Sequence, residues 1–578
     1  MSDNESTAVA DVPWPGSKEM PQWTSNELID APVFTKKNWF ALLGPGLILG
    51  GAAIGGGEWL VGPKVTALYG GSLLWLATLS ILGQVIYNIE ISRYTLYTGE
   101  PIFTGKFRTM PGPKFWVFAY LFFDFGSVFP YLAAAAATPV ATLIKGGVVP
   151  DPEHISADFW LMKGLAYVIF IGALIPLLFG GKIYQSLKIV MAFKLVVVFG
   201  FLLFLAFAYS KAGTWVEITT GFVKFGTVPV LANEDSNGNG VLDPGEDFDQ
   251  DSHLDVVEPI IMKDASGKIT KFEDIDSDGK RDGANVENIF VSLISGRGMP
   301  DIDFTMVAFI TALAAIAGSG GLSNTPTSNF TRDHGWGMGH HVGAIPSMIG
   351  GHDISLSHVG CVFEPTEESL PRWRKWYKHV CRDQLAVWLP ACFVGLALPA
   401  MLSIQFVARG TEAGNWTMAV MTAEGVKDTV AEQSGAGLGN FCWFMTILCG
   451  FLVLAPTMSS SADGIIRRWV DVFWTSSGRL REMDTKHIKV VYFKVLIGYG
   501  IFGLVMLSLN PSDLIKYATM FFNIGLGFSC WHTLVINLTL LPQPLRPGWF
   551  VRCALTLAGA YYMMLGSFAV AQTTGLLE

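Results

Sequence analysis

Charge is scarce in this chain. Only 15% of its 578 residues are Asp, Glu, Lys or Arg, where a soluble globular protein carries roughly 25%. That shortage excludes a string of soluble domains. A basic excess is missing too: 39 Lys and Arg stand against 48 Asp and Glu, which leaves no electrostatic footprint for nucleic acid. Cysteine is sparse. The seven, at 361, 381, 392, 442, 449, 530 and 553, lie in apolar stretches or their basic flanks without the spacing of a zinc site or disulfide framework. The first 35 residues lack an apolar signal core and read as a cytosolic tail. No nucleophile–base pair or catalytic metal cluster stands at workable spacing, so the sequence gives no support for an enzyme.

Hydrophobic sequence is what the chain has instead, at 51%. Apolar runs recur near residues 40–69, 71–98, 114–144, 159–180, 183–210, 302–330, 383–404, 437–460, 488–509, 513–541 and 549–573. Eleven runs able to cross about 30 Å of hydrocarbon predict an all-α membrane protein whose partner is the lipid bilayer of a cell (inner) membrane. Basic residues gather in alternate connections, at Lys36 and Lys37, Arg93 to Lys114, Lys182 and Lys188, Arg372 to Arg382 and Arg467 to Lys489. The positive-inside rule then puts the amino terminus in the cytosol and, with an odd number of spans, the carboxyl terminus outside. Four segments follow: a tail over 1–38, helices one to five over 39–210, an acidic insert over 211–300 and helices six to eleven over 301–578.

Two runs do not read as continuous helices. The first carries Gly55-Gly56-Gly57-Glu58 and the sixth carries Gly318-Ser319-Gly320-Gly321-Leu322-Ser323-Asn324-Thr325. Each Gly costs about 1 kcal/mol of helix propensity, and open backbone inside a bilayer survives only where protein or a water-filled cavity satisfies it. Paired interruptions of this kind point to the substrate site of a secondary transporter; the competing reading is close helix packing through small residues.

Here the sequence resembles the Nramp family of divalent-metal transporters. Gly44-Pro45 through Ser72-Leu73-Leu74-Trp75 is similar to that family's first helix, Thr457 to Gly464 to its eighth, and Phe522-Asn523 to Phe528 to its tenth. The resemblance implies a LeuT-type fold of two inverted five-helix repeats, with helices one and six unwound at mid-membrane. It breaks at the metal ligands. Where the family has Asp-Pro-Gly-Asn this chain has Gly55 to Glu58, and where the family has Met-Pro-His-Asn it has the run Gly321 to Thr325. Soft divalent metals prefer sulfur and imidazole donors, so the departures argue against Mn or Fe at this site.

The remaining groups suit a small anion. Gly55, Gly56, Gly57, Gly318, Gly320 and Gly321 would expose peptide N–H groups at half-helix ends carrying about +0.5 charge, with Ser319, Ser323, Asn324, Thr325 and Asn523 as neutral partners. Bicarbonate, coupled to H⁺ or Na⁺, is therefore the expected substrate. Glu58 opposes it, and a divalent cation such as Mg²⁺ or Mn²⁺ is the alternative; a calcium-responsive sensor without flux is a third reading. Buried ionisable residues are the coupling candidates. Asp124 matches an Asp of the family's proton route, with Ser127 where the family has Glu. Lys194 lies about 18 Å into its helix, counted from Lys182, and calls for Asp124 or Glu58 as partner. Ser460, beside Ser459 and Ser461, and Asp463 could hold Na⁺, although Asp463 reads more readily as an anchor. His334, His340, His341, His352 and His358 form a polar stretch that reads as a solvated loop more readily than as a gate.

The acidity is local. Residues 211–300 hold 8 basic and 17 acidic residues, a balance of −9 that equals the net charge of the chain. Asp235, Asn237, Asn239, Gly240, Val241, Asp243 and Glu246 reproduce an EF-hand loop, with oxygen ligands at positions 1, 3, 5, 9 and 12, the turn glycine at 6 and a backbone carbonyl at 7. Asp247, Asp249, Asp251, Asp255 and Glu258 repeat the spacing, and Asp274, Asp276, Asp278, Lys280 and Asp282 do so more weakly. The expected cofactor is structural Ca²⁺, neutralising mutually repelling carboxylates in an extracytoplasmic cap.

Overall fold

The computed structural model describes residues 16–33, 55–150, 152, 156–179, 181–230, 262–263, 269–271, 286–296, 298–300, 302–342, 359–411, 413–414, 416–481 and 488–576. Its principal helices are α1 (Gly56–Tyr69), α2 (Leu74–Thr98), α3 (Ile102–Arg108), α4 (Pro113–Phe123), α5 (Tyr131–Ile144), α6 (Ala157–Phe179), α7 (Gly181–Ala208), α8 (Ala212–Gly221), α9 (Val307–Ile316), α10 (Pro326–Asp333), α11 (Ser369–Asp383), α12 (Leu389–Phe406), α13 (Ala423–Ser434), α14 (Ala436–Ser476), α15 (Ile488–Met506), α16 (Pro511–Thr539) and α17 (Trp549–Thr573). Among the described residues, eight helical stretches are long and apolar enough to cross a membrane, or nine if the α7–α8 pair, bent by 117°, counts as one span.

That tally differs from the eleven spans expected. α1 and α2 run together through a 3₁₀ turn over Gly70–Leu73, so two expected spans form one continuous helical stretch. The third is divided into α4 and α5 by a 3₁₀ turn over Phe125–Val128, and the ninth, in α15, is among the shorter apolar helices. Residues 40–54, the first part of the expected first span, lie outside the described residues.

Local chemistry explains the helix ends. Asn510 caps α16 by accepting the Asp513 N–H at 2.8 Å, with Pro511 in the first turn where its missing N–H costs nothing. α2 stops at Gly99, whose φ of +66° is the left-handed conformation that glycine adopts freely. Trp59, Leu313, Trp388, Leu526 and Tyr562 belong to one buried core that runs through α1, α2, α9, α12, α16 and α17. Phe118, Val196, Phe207 and Leu557 face outward, the apolar exterior that a bilayer would cover.

At the basic end, the segment 16–33 lies against the domain. β1 (Thr24–Ser25) pairs in parallel with β4 (Cys361–Val362), and Trp376 Nε1 donates to Ile29 O at 2.8 Å. The near edges of the insert form a short antiparallel pair, β2 (Thr227–Pro229) with β3 (Val286–Asn288). Every predicted calcium ligand, from Asp235 to Glu258 and from Asp274 to Asp282, lies outside the described residues.

Candidate functional site

The two glycine clusters meet, and one carboxylate joins them. Glu58 stands in the first turn of α1, where a carboxylate can reach back to the N–H at the helix start. Its Oε2 accepts from Gly55 N–H at 3.0 Å. Its Oε1 accepts from Gly318 N–H at 3.3 Å. Glu58 is only 3% exposed, so the protein's own carboxyl group occupies the peptide dipoles that the sequence suggested for a bound anion.

The glycines divide by task. Gly56 and Gly57 are helical, which corrects the expectation of open backbone there. A Cβ on Gly56 would fall 1.8 Å from Leu132 Cδ2, and one on Gly57 would fall 2.6 Å from Ile316 Cδ1. They are small because neighbours press against them. Gly318 and Gly321 instead have φ of +97° and +61°, the region that side chains disfavour. The chain leaves helical conformation after Ile316, where α9 ends, and re-enters it through a 3₁₀ turn over Gly321–Asn324 that leads into α10.

Gln84, in the middle of α2, holds that non-helical stretch. Its Nε2 donates to Ala317 O at 2.7 Å, and its Oε1 accepts from Ser319 N–H and from Asn324 Nδ2, each at 3.0 Å. Sequence reasoning missed Gln84. A carboxamide at mid-run, with a second at Asn88 one turn on, was the available signal, because a fully buried amide needs partners.

Two carboxamide oxygens are left over. Asn324 Nδ2 donates to Gln84 and to Ser319 O, which fixes the amide orientation and leaves Oδ1, buried, without a donor. Asn523 on α16 donates from Nδ2 to Thr311 O at 3.3 Å, and its Oδ1 is likewise buried and unanswered. Both residues are fully buried. The other expected members behave differently. Thr325 Oγ1 turns back to Leu322 O at 2.6 Å, inside its own turn. Ser323 is half-buried, with its N–H on Gly320 O.

The coupling candidates separate. Asp124 takes a two-pronged bond from Arg468, Nη2 to Oδ1 at 2.7 Å and Nε to Oδ2 at 2.9 Å, together with Trp469 Nε1 and Ser127 Oγ, each at 2.7 Å. Arg468, on α14, also reaches Leu322 O at 3.3 Å. Asp124 is therefore not the partner of Lys194, as the sequence allowed; Lys194, 1% exposed, donates to Thr457 Oγ1 at 2.7 Å. Arg468 had been read as part of a basic flank. Ser460 faces outward and joins no site, while Asp463 accepts from Tyr492 OH at 3.3 Å and so ties α14 to α15. His334 Nδ1 is 2.8 Å from Phe330 O and His341 Nε2 is 2.9 Å from Glu27 O; His352 and His358 lie outside the described residues. Among the described residues, no three His, Cys, Asp or Glu side chains converge as a metal-holding group.

No family model matches the sequence, and no curated protein matches it. Solved structures do. The manganese transporter of Eremococcus coleocola, bound to an aromatic bis-isothiourea compound, aligns with a TM-score of 0.52 at 10% identity, over 94% of this chain and 89% of that one. A histidine variant of the same transporter gives 0.51 at 12% identity, over 95% and 91%. This chain has an Nramp-like fold. A glutamate variant aligns equally, at 0.52 and 11% identity, so the Nramp-like arrangement spans almost the whole of both proteins.

Proposed function

We propose that the chain is a secondary transporter of a small inorganic ion, and that the ion is a divalent cation, Mg²⁺ or Mn²⁺. The observation that carries the cation reading is the pattern of used and unused polar atoms. Three donors at the break face the protein itself: the Gly55 and Gly318 N–H groups point at Glu58, and the Ser319 N–H at Gln84. Two acceptors are unanswered: Asn324 Oδ1 and Asn523 Oδ1 are buried without donors. Carboxylate and carbonyl oxygens suit Mg²⁺ and Mn²⁺, and need no sulfur ligand. The manganese transporters of the same fold support the same class.

A small anion such as bicarbonate is the second reading, and Lys194 favours it, as a buried basic side chain that donates to Thr457 Oγ1. Uptake into proteoliposomes separates the two. The cation reading expects Mn²⁺ or Mg²⁺ to accumulate and Glu58→Gln to lower uptake at least tenfold. Accumulation of labelled bicarbonate, with no divalent-cation flux, would sink it. We also propose, from loop register alone, that residues 235–285 bind structural Ca²⁺.

A further inference from the structure

Away from the ion site, the short helix α3 buries a lysine that has no carboxylate to face. Lys106 is 0% exposed. The guanidinium groups of Arg93, Arg108 and Arg468 are answered by Glu90, Glu100 and Asp124; Lys106 makes no ion pair among the described residues. Its Nζ donates to Ser529 Oγ on α16 and lies 4.2 Å from the centre of the Tyr120 ring and 5.0 Å from that of Phe103. One neutral hydroxyl and two ring faces are thin compensation for an ammonium held out of water.

The surroundings are ordered for proton handling. Ser529 Oγ is 2.7 Å from Tyr87 OH. Tyr120 OH is 2.8 Å from His532 Nδ1, and His532 Nε2 is 2.7 Å from Thr109 Oγ1. Thr109 donates its single hydrogen to Lys106 O at 2.7 Å. His532 therefore donates from Nε2, and as a neutral imidazole it would accept from Tyr120 OH at Nδ1. The charged and titratable groups around Lys106 are Tyr87 on α2, Tyr120 on α4 with Asp124 at its end, Arg468 on α14, and Cys530 and His532 on α16. Asp124 and Arg468 neutralise each other, so no net negative charge holds the proton on the amine. Burial pushes the Lys106 ammonium well below the usual lysine range.

We propose that Lys106 is the proton-carrying site of the transport cycle, loaded in one conformation of the α3–α16 contact and unloaded in the other. The proposal rests on the transporter reading and names its coupling ion as a proton. On loading, the Nζ lone pair forms one new N–H bond with a proton drawn from bulk water; on release the same bond breaks and the proton returns to water. Met110, exposed and next in sequence to Thr109, puts the end of this hydrogen-bonded cluster near the protein surface.

Two measurements on the full chain test this. The folded state favours the neutral amine and binds fewer protons than the unfolded chain. Stability should therefore rise with pH from the lowered folded value up to the ordinary lysine range near ~10.4. The melting temperature of detergent-purified protein should climb over that window, Lys106→Met should lose that part of the slope, and Ser529→Ala, which removes the hydroxyl acceptor, should extend the window to lower pH. In proteoliposomes containing a pH dye, a Mn²⁺ gradient should drive proton movement in the parent protein, and Lys106→Met should carry at least tenfold fewer protons per metal ion. A parent-like proton-to-metal ratio in Lys106→Met, or an unchanged melting slope in both variants, would overturn the proposal. If the parent protein moves no ion, the transporter reading fails separately, and the melting slopes still decide whether Lys106 titrates in the fold.

Discussion

Two buried polar centres lie close together, at the ends of the same 3₁₀ turn over Gly321–Asn324, and they are finished to different degrees. At one, Asp124 receives Arg468, Trp469 and Ser127, and both carboxylate oxygens are used. At the other, Asn324 and Asn523 each keep an oxygen that nothing donates to. A buried polar group without a partner costs about 1–3 kcal/mol, a cost that a purely structural site would remove. Completeness suits the first centre to architecture, and under the proposed function the unanswered oxygens of the second are where the ion would bind.

Asp124→Asn should break the contrast most strongly, by leaving the buried Arg468 charge uncompensated. Loss of one partner of a buried pair costs about 3–5 kcal/mol, so the variant should melt well below the parent in detergent. Gln84→Leu should rank next. It strands Ala317 O, the Ser319 N–H and part of Asn324, at about 1–3 kcal/mol for a buried group left unpaired, and both melting temperature and uptake should fall. Asn523→Leu should sharpen the comparison in the opposite sense. It gives up one long hydrogen bond, so stability should change by about 1 kcal/mol or less, while metal uptake falls at least tenfold. Uptake unchanged in Asn523→Leu would remove that oxygen from the site. Calcium chelation should have the smallest effect. Extracellular loops of this kind bind at about 10⁻⁴ to 10⁻³ M, so removing millimolar Ca²⁺ should cost only about 0.4–1.4 kcal/mol for each filled loop, measured as a shift in melting temperature with and without chelator.

Much of the site was legible as sequence, though by unequal routes. The two glycine clusters, and Glu58 next to the first, were visible because glycines in succession within an apolar run disfavour a helix; that Glu58 bonds to both clusters was not. Their division of labour was not. Whether a glycine opens the backbone, as Gly318 does, or admits a neighbour, as Gly57 admits Ile316, depends on what lies across from it. Lys194 illustrates the same limit. Its depth could be counted along a helix, but the choice of Thr457 over Asp124 depended on Arg468, which sits next to Arg467 in sequence and looked like surface charge.

Composition and periodicity determined that this chain is a helical membrane protein, because hydrocarbon accepts only backbone that satisfies itself, and they pointed to the break in its sixth apolar run. The calcium register proposed for the acidic insert likewise rests on a one-dimensional pattern alone. Tertiary structure alone decided which polar atoms are answered and which are not. Hydrogen bonds reach about 3 Å, and the helices that bring Gln84 to Ser319, Arg468 to Asp124 and Lys106 to Ser529 join residues 235, 344 and 423 positions apart. No local rule of sequence spans such separations, so the chemistry of the site follows from packing.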